Sequence, residues 1–268
     1  MSNVAKMEEL VAGARAYEYL HVPALFQQWC AGILDAAGVC ENQRVLDVAC
    51  GTGILARTAN QRIGSGHVVG LDPGPGMLAV AQEICPEVDW QSGVAEALPF
   101  PDSSFDAVVS QFGLMFFSDR VQAIREMVRV MKPGGCLAVA VWESLERSEA
   151  YPLEVALLDR LAGEAAGNAL RAPFQLGDRE KLMELFLQSG VEAINITTEL
   201  GTANFPSIKV MVEADLRGWL PVMGVHLDEP TIQKVLEEAE QVLAPYKQAD
   251  GTVQFCAPAH IVTGKKKH

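Results

Sequence analysis

The chain has 268 residues, 49% of them hydrophobic, which is enough for one large domain with a sizeable buried core. Its formal net charge of −13 opposes a phosphate backbone, so composition argues against nucleic acid as a partner. MSNVAKMEEL at the start holds no apolar signal core and no run is long enough to span a bilayer, so a cytoplasmic protein without membrane contact is expected.

Residues 5–38 read as helical, interrupted near Pro23. From Arg44 to about Trp142, short apolar runs alternate with helix-length segments, the pattern of a parallel α/β sheet. The expected strands are 44–49, 67–72, 88–91, 105–110 and 136–142. Helices are expected at 52–62, 76–84 and 119–131, the last stopped by Lys132-Pro133-Gly134-Gly135. Beyond the alternating region, 146–172 reads as helical and Ala-rich, 178–188 as a capped helix closed by Gly190, and 191–200 as a strand. Residues 206–245 read as mainly helical with breaks at Pro221 and Pro230, and 253–264 as a final strand broken by Pro258. The expected organisation is an N-terminal helical lid (1–40), a core (41–143), a helical cap (144–177), a core helix and strand (178–201), a second helical cap (202–250) and a final core strand and tail (251–268). Lys265, Lys266 and Lys267 read as a solvated tail. The six cysteines (30, 40, 50, 85, 136 and 256) show no Cys-x-x-Cys or zinc-ligand spacing and read as reduced, buried thiols, with no metal expected.

Asp47-Val48-Ala49-Cys50-Gly51-Thr52-Gly53 falls where the first strand turns into the first helix. Glycine there admits a ligand against the backbone, and the helix start offers free N–H groups. Asp72 ends the second strand, where a carboxylate can accept both hydroxyls of a ribose. Gly51, Gly53 and Asp72 would equally serve a dinucleotide, and a ligand-free tight turn has the same signature. Asp47 separates the readings, since a carboxylate ahead of the turn suits a ligand with a positive amino group and opposes a pyrophosphate. Two further features point the same way: 93–100 follows the third strand, where an adenine would lie, and 104–109 and 132–135 follow at suitable distances.

VLDVACGTG, GLDPGPGML, GVAEALPFPDSSFDAVV, QFGLMFF and REMVRVMKPGG occur in that order over roughly 44–142. Together they resemble the class I S-adenosylmethionine-dependent methyltransferases, in the branch that includes the ubiquinone/menaquinone C-methyltransferases. The resemblance implies a Rossmann-like α/β fold: a seven-stranded, mostly parallel sheet with helices on both faces and an antiparallel last strand, here 253–264. It implies S-adenosylmethionine as cofactor, with Ala49 and Gly51 beside its methionine part and Asp72 on the ribose. Pro73 and Met77 would lie near the adenine, Val94 and Ala95 would border its other side, and the Gln111 backbone would meet the amino group. Ala49 stands where the family often has glycine, Val94 where an acidic residue often holds the adenine amine, and Met115 where relatives often have histidine.

Methyl transfer to a small, partly apolar molecule is the expected function. The protein has mainly to align the nucleophile and exclude water. Tyr17, Phe26 and Trp29 are candidate lid residues, and ordinary core aromatics are an equally good reading of them. Phe112, Leu114, Met115, Phe116 and Phe117, with Trp142, could line an acceptor cavity or pack as a buried strand end. If the nucleophile must lose a proton, His21, Glu143 and His226 are the candidate bases, each better read as an ordinary residue. The segment Ser110-Gln111-Phe112-Gly113 lacks the Asn/Asp-Pro-Pro-Tyr pattern of amine-methylating enzymes acting on macromolecules. The alternatives are an S-adenosylmethionine-binding protein without methyl transfer and a nicotinamide-dependent oxidoreductase; oligomeric state is not legible.

Overall fold

A computed structural model describes residues 3–266. The chain begins with α1 (Asn3–Ala16), a π-helical stretch (Tyr17–Phe26), a 3-10 turn (Gln27–Trp29) and α2 (Cys30–Ala36). Pro23 lies inside the π-helical stretch instead of ending a helix. A residue without an N–H leaves an unmatched carbonyl in an α-helix, and the wider turn accommodates it.

The alternating region then builds β1 (Arg44–Val48), α3 (Ile54–Ile63), β2 (His67–Asp72), α4 (Pro75–Ile84), β3 (Asp89–Ser92), β4 (Phe105–Gln111), α5 (Arg120–Val130) and β5 (Met131–Trp142). After it come α6 (Tyr151–Leu161), α7 (Glu164–Arg171), α8 (Arg179–Gln188), β6 (Glu192–Glu199) and β7 (Thr202–Phe205). The chain continues through α9 (Ile208–Ala214), a second π-helical stretch (Asp215–Trp219), α10 (Leu220–Val222), α11 (Glu229–Val242), β8 (Val253–Cys256) and β9 (Ala259–Lys265).

Seven strands form one sheet in the order β3-β2-β1-β4-β5-β9-β6. The pairs β1·β2, β1·β4, β2·β3 and β4·β5 are parallel, and β9 runs antiparallel to both β5 and β6. Helices cover both faces, so the central strands are continuous apolar runs: Val45, Leu46 and Val48 on β1, and Ala107, Val108 and Val109 on β4, are wholly buried. The order reverses between β1 and β4, and a ligand crevice is expected outside the carboxyl ends of those strands.

The structure corrects several expectations. The stretch 253–264 is two strands: β8 pairs with β7 in a separate two-stranded sheet, and only β9 joins the main sheet. Pro258 cannot donate to a ladder, and the chain changes sheet there. The segment 202–250 is therefore not purely helical, since it opens with β7. Lys132–Gly135 is part of β5, which starts at Met131 with a register shift against β4. Pro230 stands in the first turn of α11, so it begins a helix instead of breaking one, whereas Pro221 stands in a helical run that ends one residue later at Val222. Lys266 is no solvated tail, because its ammonium donates to the carbonyls of Arg129 (2.8 Å) and Met131 (2.7 Å); Lys267 lies outside the described residues. All six cysteines are free, but only Cys30 and Cys50 are buried.

Candidate cofactor and acceptor site

The turn after β1 passes through three left-handed residues. Ala49, Gly51 and Gly53 have φ of 59°, 56° and 89°. Two glycines adopt that region freely; Ala49 does so at a cost of roughly 1–2 kcal/mol. Two close approaches hold the turn. A Cβ on Gly53 would lie 2.2 Å from the Trp90 ring, and a Cβ on Gly113 would lie 2.6 Å from the Ala49 Cβ. Trp90 on β3 and Gly113 after β4 thus clamp it from two sides.

Two carboxylates face this turn. Asp72, at the end of β2, accepts hydrogen bonds from the backbone N–H of Gly51 (2.9 Å) and of Gly74 (2.7 Å), one on each oxygen. Burial nonetheless raises its pKa above the ordinary value, the two N–H groups pulling it part of the way back. Asp47 is 1% exposed, and neither oxygen has a hydrogen-bond partner. Burial holds its carboxyl well above the usual range; the nearby Ala56 N–H opposes this without forming a bond, and Asp72 pushes it further up.

The N-terminal segment closes over the turn. Tyr17 brings a ring carbon to 4.0 Å from where a Gly51 Cβ would stand. Its phenol is pushed up first by burial, then by Asp72. Glu18 beside it pairs with Arg57 of α3 at 2.6 Å, with side chains 13% and 12% exposed. Gln111 ties the end of β4 to the same segment, accepting from the Cys30 thiol (3.5 Å) and donating to the Phe26 carbonyl (3.3 Å). Above the ends of β4 and β5, Phe112 stacks on Trp142 at 3.9 Å and 16°. Phe26 and Trp29 pack around that pair, with centroids 5.5–6.1 Å away. Phe112 also has a positive φ of 54°, a strain that in a bulky residue concentrates at functional sites.

His21 stacks on Tyr17 at 5.6 Å and meets Phe205 of β7 edge-on at 6.4 Å. Its Nδ1 is buried without a partner, and burial lowers its pKa to about 4, so the imidazole is neutral at pH 7. Glu143, at the end of β5, pairs with Arg147 at 3.5 Å. His226 is exposed in the loop between α10 and α11, and among the described residues no bond or ring contact joins it to the turn. Pro73 is exposed and Met77 half-buried, the latter against Gly74 beside Asp72. Val94 is 46% exposed, while Ala95 and Met115 are buried. Of the site residues expected from the sequence, Tyr17, His21, Phe26, Trp29, Asp47, Ala49, Gly51, Asp72, Gln111, Phe112 and Trp142 come together, Glu143 directly follows Trp142, and His226 does not join them. Sequence reading missed Glu18–Arg57, Trp90 and Phe205, whose roles rest on long-range contacts.

The residues present fit S-adenosylmethionine. An ammonium beside Asp47 would satisfy a buried carboxyl whose two oxygens have no partner, and Asp72 keeps lone pairs for vicinal hydroxyls. The left-handed turn lets a ligand reach the backbone. A pyrophosphate in the same place would face Asp47. Among the described residues no group of three or more His, Cys, Asp or Glu is arranged to hold a metal ion.

Comparison with known proteins agrees with this reading. The methyltransferase-domain family profile matches residues 45–135. The ubiquinone/menaquinone biosynthesis C-methyltransferase UbiE of Cronobacter sakazakii is 35% identical over 184 residues, 62% of this chain and 73% of that protein. The demethylmenaquinone methyltransferase of Renibacterium salmoninarum is 45% identical over 115 residues, 42% of this chain and 47% of that one. The chain thus spans about half the length of several curated relatives it matches, the Renibacterium protein at 47% among them. Among solved structures, YcgJ of Bacillus subtilis superposes with a TM-score of 0.60 at 20% identity, over 90% of this chain and 99% of that one. Phosphoethanolamine N-methyltransferase 2 of Haemonchus contortus, solved with S-adenosylhomocysteine, gives 0.62 at 19%, over 96% and 58%. At such identity these two speak for the fold alone. The chain belongs to the class I S-adenosylmethionine-dependent methyltransferases. Within that family its likeness is to the UbiE group.

Proposed function

We propose that this protein transfers the methyl group of S-adenosylmethionine to a small, partly apolar acceptor. The observation that carries the reading is Asp47: a wholly buried carboxyl without a hydrogen-bond partner, at the foot of a left-handed turn, 25 residues ahead of the buried Asp72. Burying such a group without a partner costs several kcal/mol or forces its neutralisation, and a cationic ligand removes that cost.

The cofactor supplies a methyl group on a positively charged sulfur, a leaving group that needs no further activation. Asp47 and the Gln111 backbone hold its amino end, Ala49 and Gly51 admit its methionine part, and Asp72 fixes the ribose. Pro73, Met77, Val94 and Ala95 border the adenine. Phe26, Trp29, Phe112 and Trp142 wall the acceptor side, keep water out, and hold the acceptor in line with the methyl group. Met115, three residues past Phe112, is buried. Such alignment can contribute up to roughly 7–11 kcal/mol.

His21 is the base candidate nearest the turn, but an imidazole of pKa about 4 takes up little of a proton at pH 7. It orients an acceptor hydroxyl or amine by hydrogen bonding in preference to deprotonating it. In this reading residues 1–40 are a lid, and 144–177 and 202–250 are caps that choose the acceptor. A net charge of −13 disfavours nucleic acid acceptors, and no helix among the described residues is long and apolar enough to cross a membrane. The test is transfer of labelled methyl from S-adenosylmethionine across a panel of phenols, quinols, acids and amines. A labelled small-molecule product supports the reading; bound cofactor with no turnover across the panel favours a binding protein.

A further inference from the structure

Arg120 is the first residue of α5, just after the N-cap Asp119. A cation there meets the positive end of the helix dipole, an unfavourable place without an anion nearby. Most arginines of this acidic chain are paired with carboxylates, as Arg57, Arg129 and Arg217 are. Arg120 has no such partner among the described residues. One terminal nitrogen, Nη2, donates to the Met115 carbonyl at 2.9 Å, and Nε is buried with no acceptor. The nearby carboxylates each hold backbone N–H groups on one oxygen and form no ion pair with Arg120: Asp119 accepts from the Gln122 N–H, and Glu96 from the N–H groups of Ser118 and Asp119. Gln175, from the cap, donates to the same Met115 carbonyl at 2.7 Å, which sets a side-chain amide beside the guanidinium. Next to Met115, Phe116 is 45% exposed and lies 5.2 Å from the Trp219 ring. A half-buried guanidinium and a side-chain amide therefore meet at the Met115 carbonyl, with two tilted aromatic rings following at the next residue, just beyond the carboxyl end of β4.

We propose that Arg120, with Gln175, is an anion-recognition point that selects an acceptor bearing a planar carboxylate on an aromatic or similarly flat body, and this deepens the methyltransferase reading on which it rests. The guanidinium N–H groups that the Met115 carbonyl leaves unengaged take the carboxylate, and Phe116 and Trp219 receive the flat body. Arg120 is thus a specificity-determining residue outside the cofactor turn.

The experiment is calorimetric titration of the full chain with benzoate, salicylate and trans-cinnamate and with their neutral amides, with and without S-adenosylhomocysteine. At least one acid should bind more than about tenfold tighter than its amide, as expected for a hydrogen bond to a charged group. Arg120→Gln should abolish that preference and Gln175→Leu should weaken it. Arg120→Lys should keep part of it, and S-adenosylhomocysteine affinity should not change in any of the three. Acids and amides binding alike in the unmodified chain, or an acid preference that survives Arg120→Gln, would overturn the proposal. Failure of S-adenosylhomocysteine to bind would count against the methyltransferase reading alone, because the titrations without it still report the anion preference.

Discussion

Glu154 on α6 and Asp215 at the start of the second π-helical stretch are 0% and 6% exposed, and the Glu154 oxygens accept no hydrogen bond. They face one another and Tyr151, whose phenol is pushed upward by burial first and then by Asp215 and Glu154, and among the described residues no cation offsets them. Burial raises both carboxyls, Asp215 from its ordinary 3.8 to about 7 and Glu154 well above its usual range. The sign follows from linkage. Between pH 3.8 and about 7 the unfolded chain has released the Asp215 proton and the folded chain keeps it, so stability falls as pH rises, then levels off. At 1.36 kcal/mol per pH unit, raising the pH from 5 to 8 removes roughly 3 kcal/mol. For a chain of this size that is about 6–12 °C in Tm. Glu154, Asp47 and Asp72 are raised too and act in the same direction, so the variant comparison isolates Asp215. Asp215→Asn keeps the shape and removes the titration. Urea unfolding of both proteins should give similar stabilities at pH 5 and a more stable variant, by roughly 3 kcal/mol, at pH 8. Parallel pH profiles for the two proteins would refute the reasoning.

Two further outcomes follow from the turn and the lid. Gly53→Ala places a methyl group 2.2 Å from the Trp90 ring at a φ of 89° and should cost about 2–4 kcal/mol from strain and overpacking, with Trp90→Leu recovering part of it, measured by denaturant unfolding. Glu18→Gln leaves Arg57 largely buried without its carboxylate, a loss of about 3–5 kcal/mol for a buried pair. The N-terminal segment should open first, so limited proteolysis within residues 1–29 should accelerate while the sheet stays protected. Unchanged cleavage would remove Glu18–Arg57 as the lid's fastening.

The sheet was legible because each strand and helix from Arg44 to Trp142 carries its own periodicity, and the turn because glycine and aspartate stand at fixed places along it. Asp47 was the most informative residue: a charge in an otherwise apolar strand has to have a reason. Pairing between distant segments was not legible. Val253–Cys256 has the alternation of any half-buried strand, and nothing local says that it joins Thr202–Phe205 and leaves the central sheet. The buried carboxyls of the cap were partly readable, since Tyr151, Glu154, Val155 and Leu158 share one helical face and an acid there must be enclosed. Its partner Asp215 was not, because the π-helical turn breaks the periodicity on which such a reading rests.

The central claim is that the turn between β1 and α3 binds S-adenosylmethionine through Asp47 and Asp72. The most direct test is equilibrium binding of S-adenosylhomocysteine and of NADH to the unmodified chain, Asp47→Asn and Asp72→Ala. The account predicts binding of S-adenosylhomocysteine alone, with each substitution weakening it by about tenfold or more, as for hydrogen bonds to charged groups. Binding of NADH in preference, or S-adenosylhomocysteine binding indifferent to both substitutions, would contradict it.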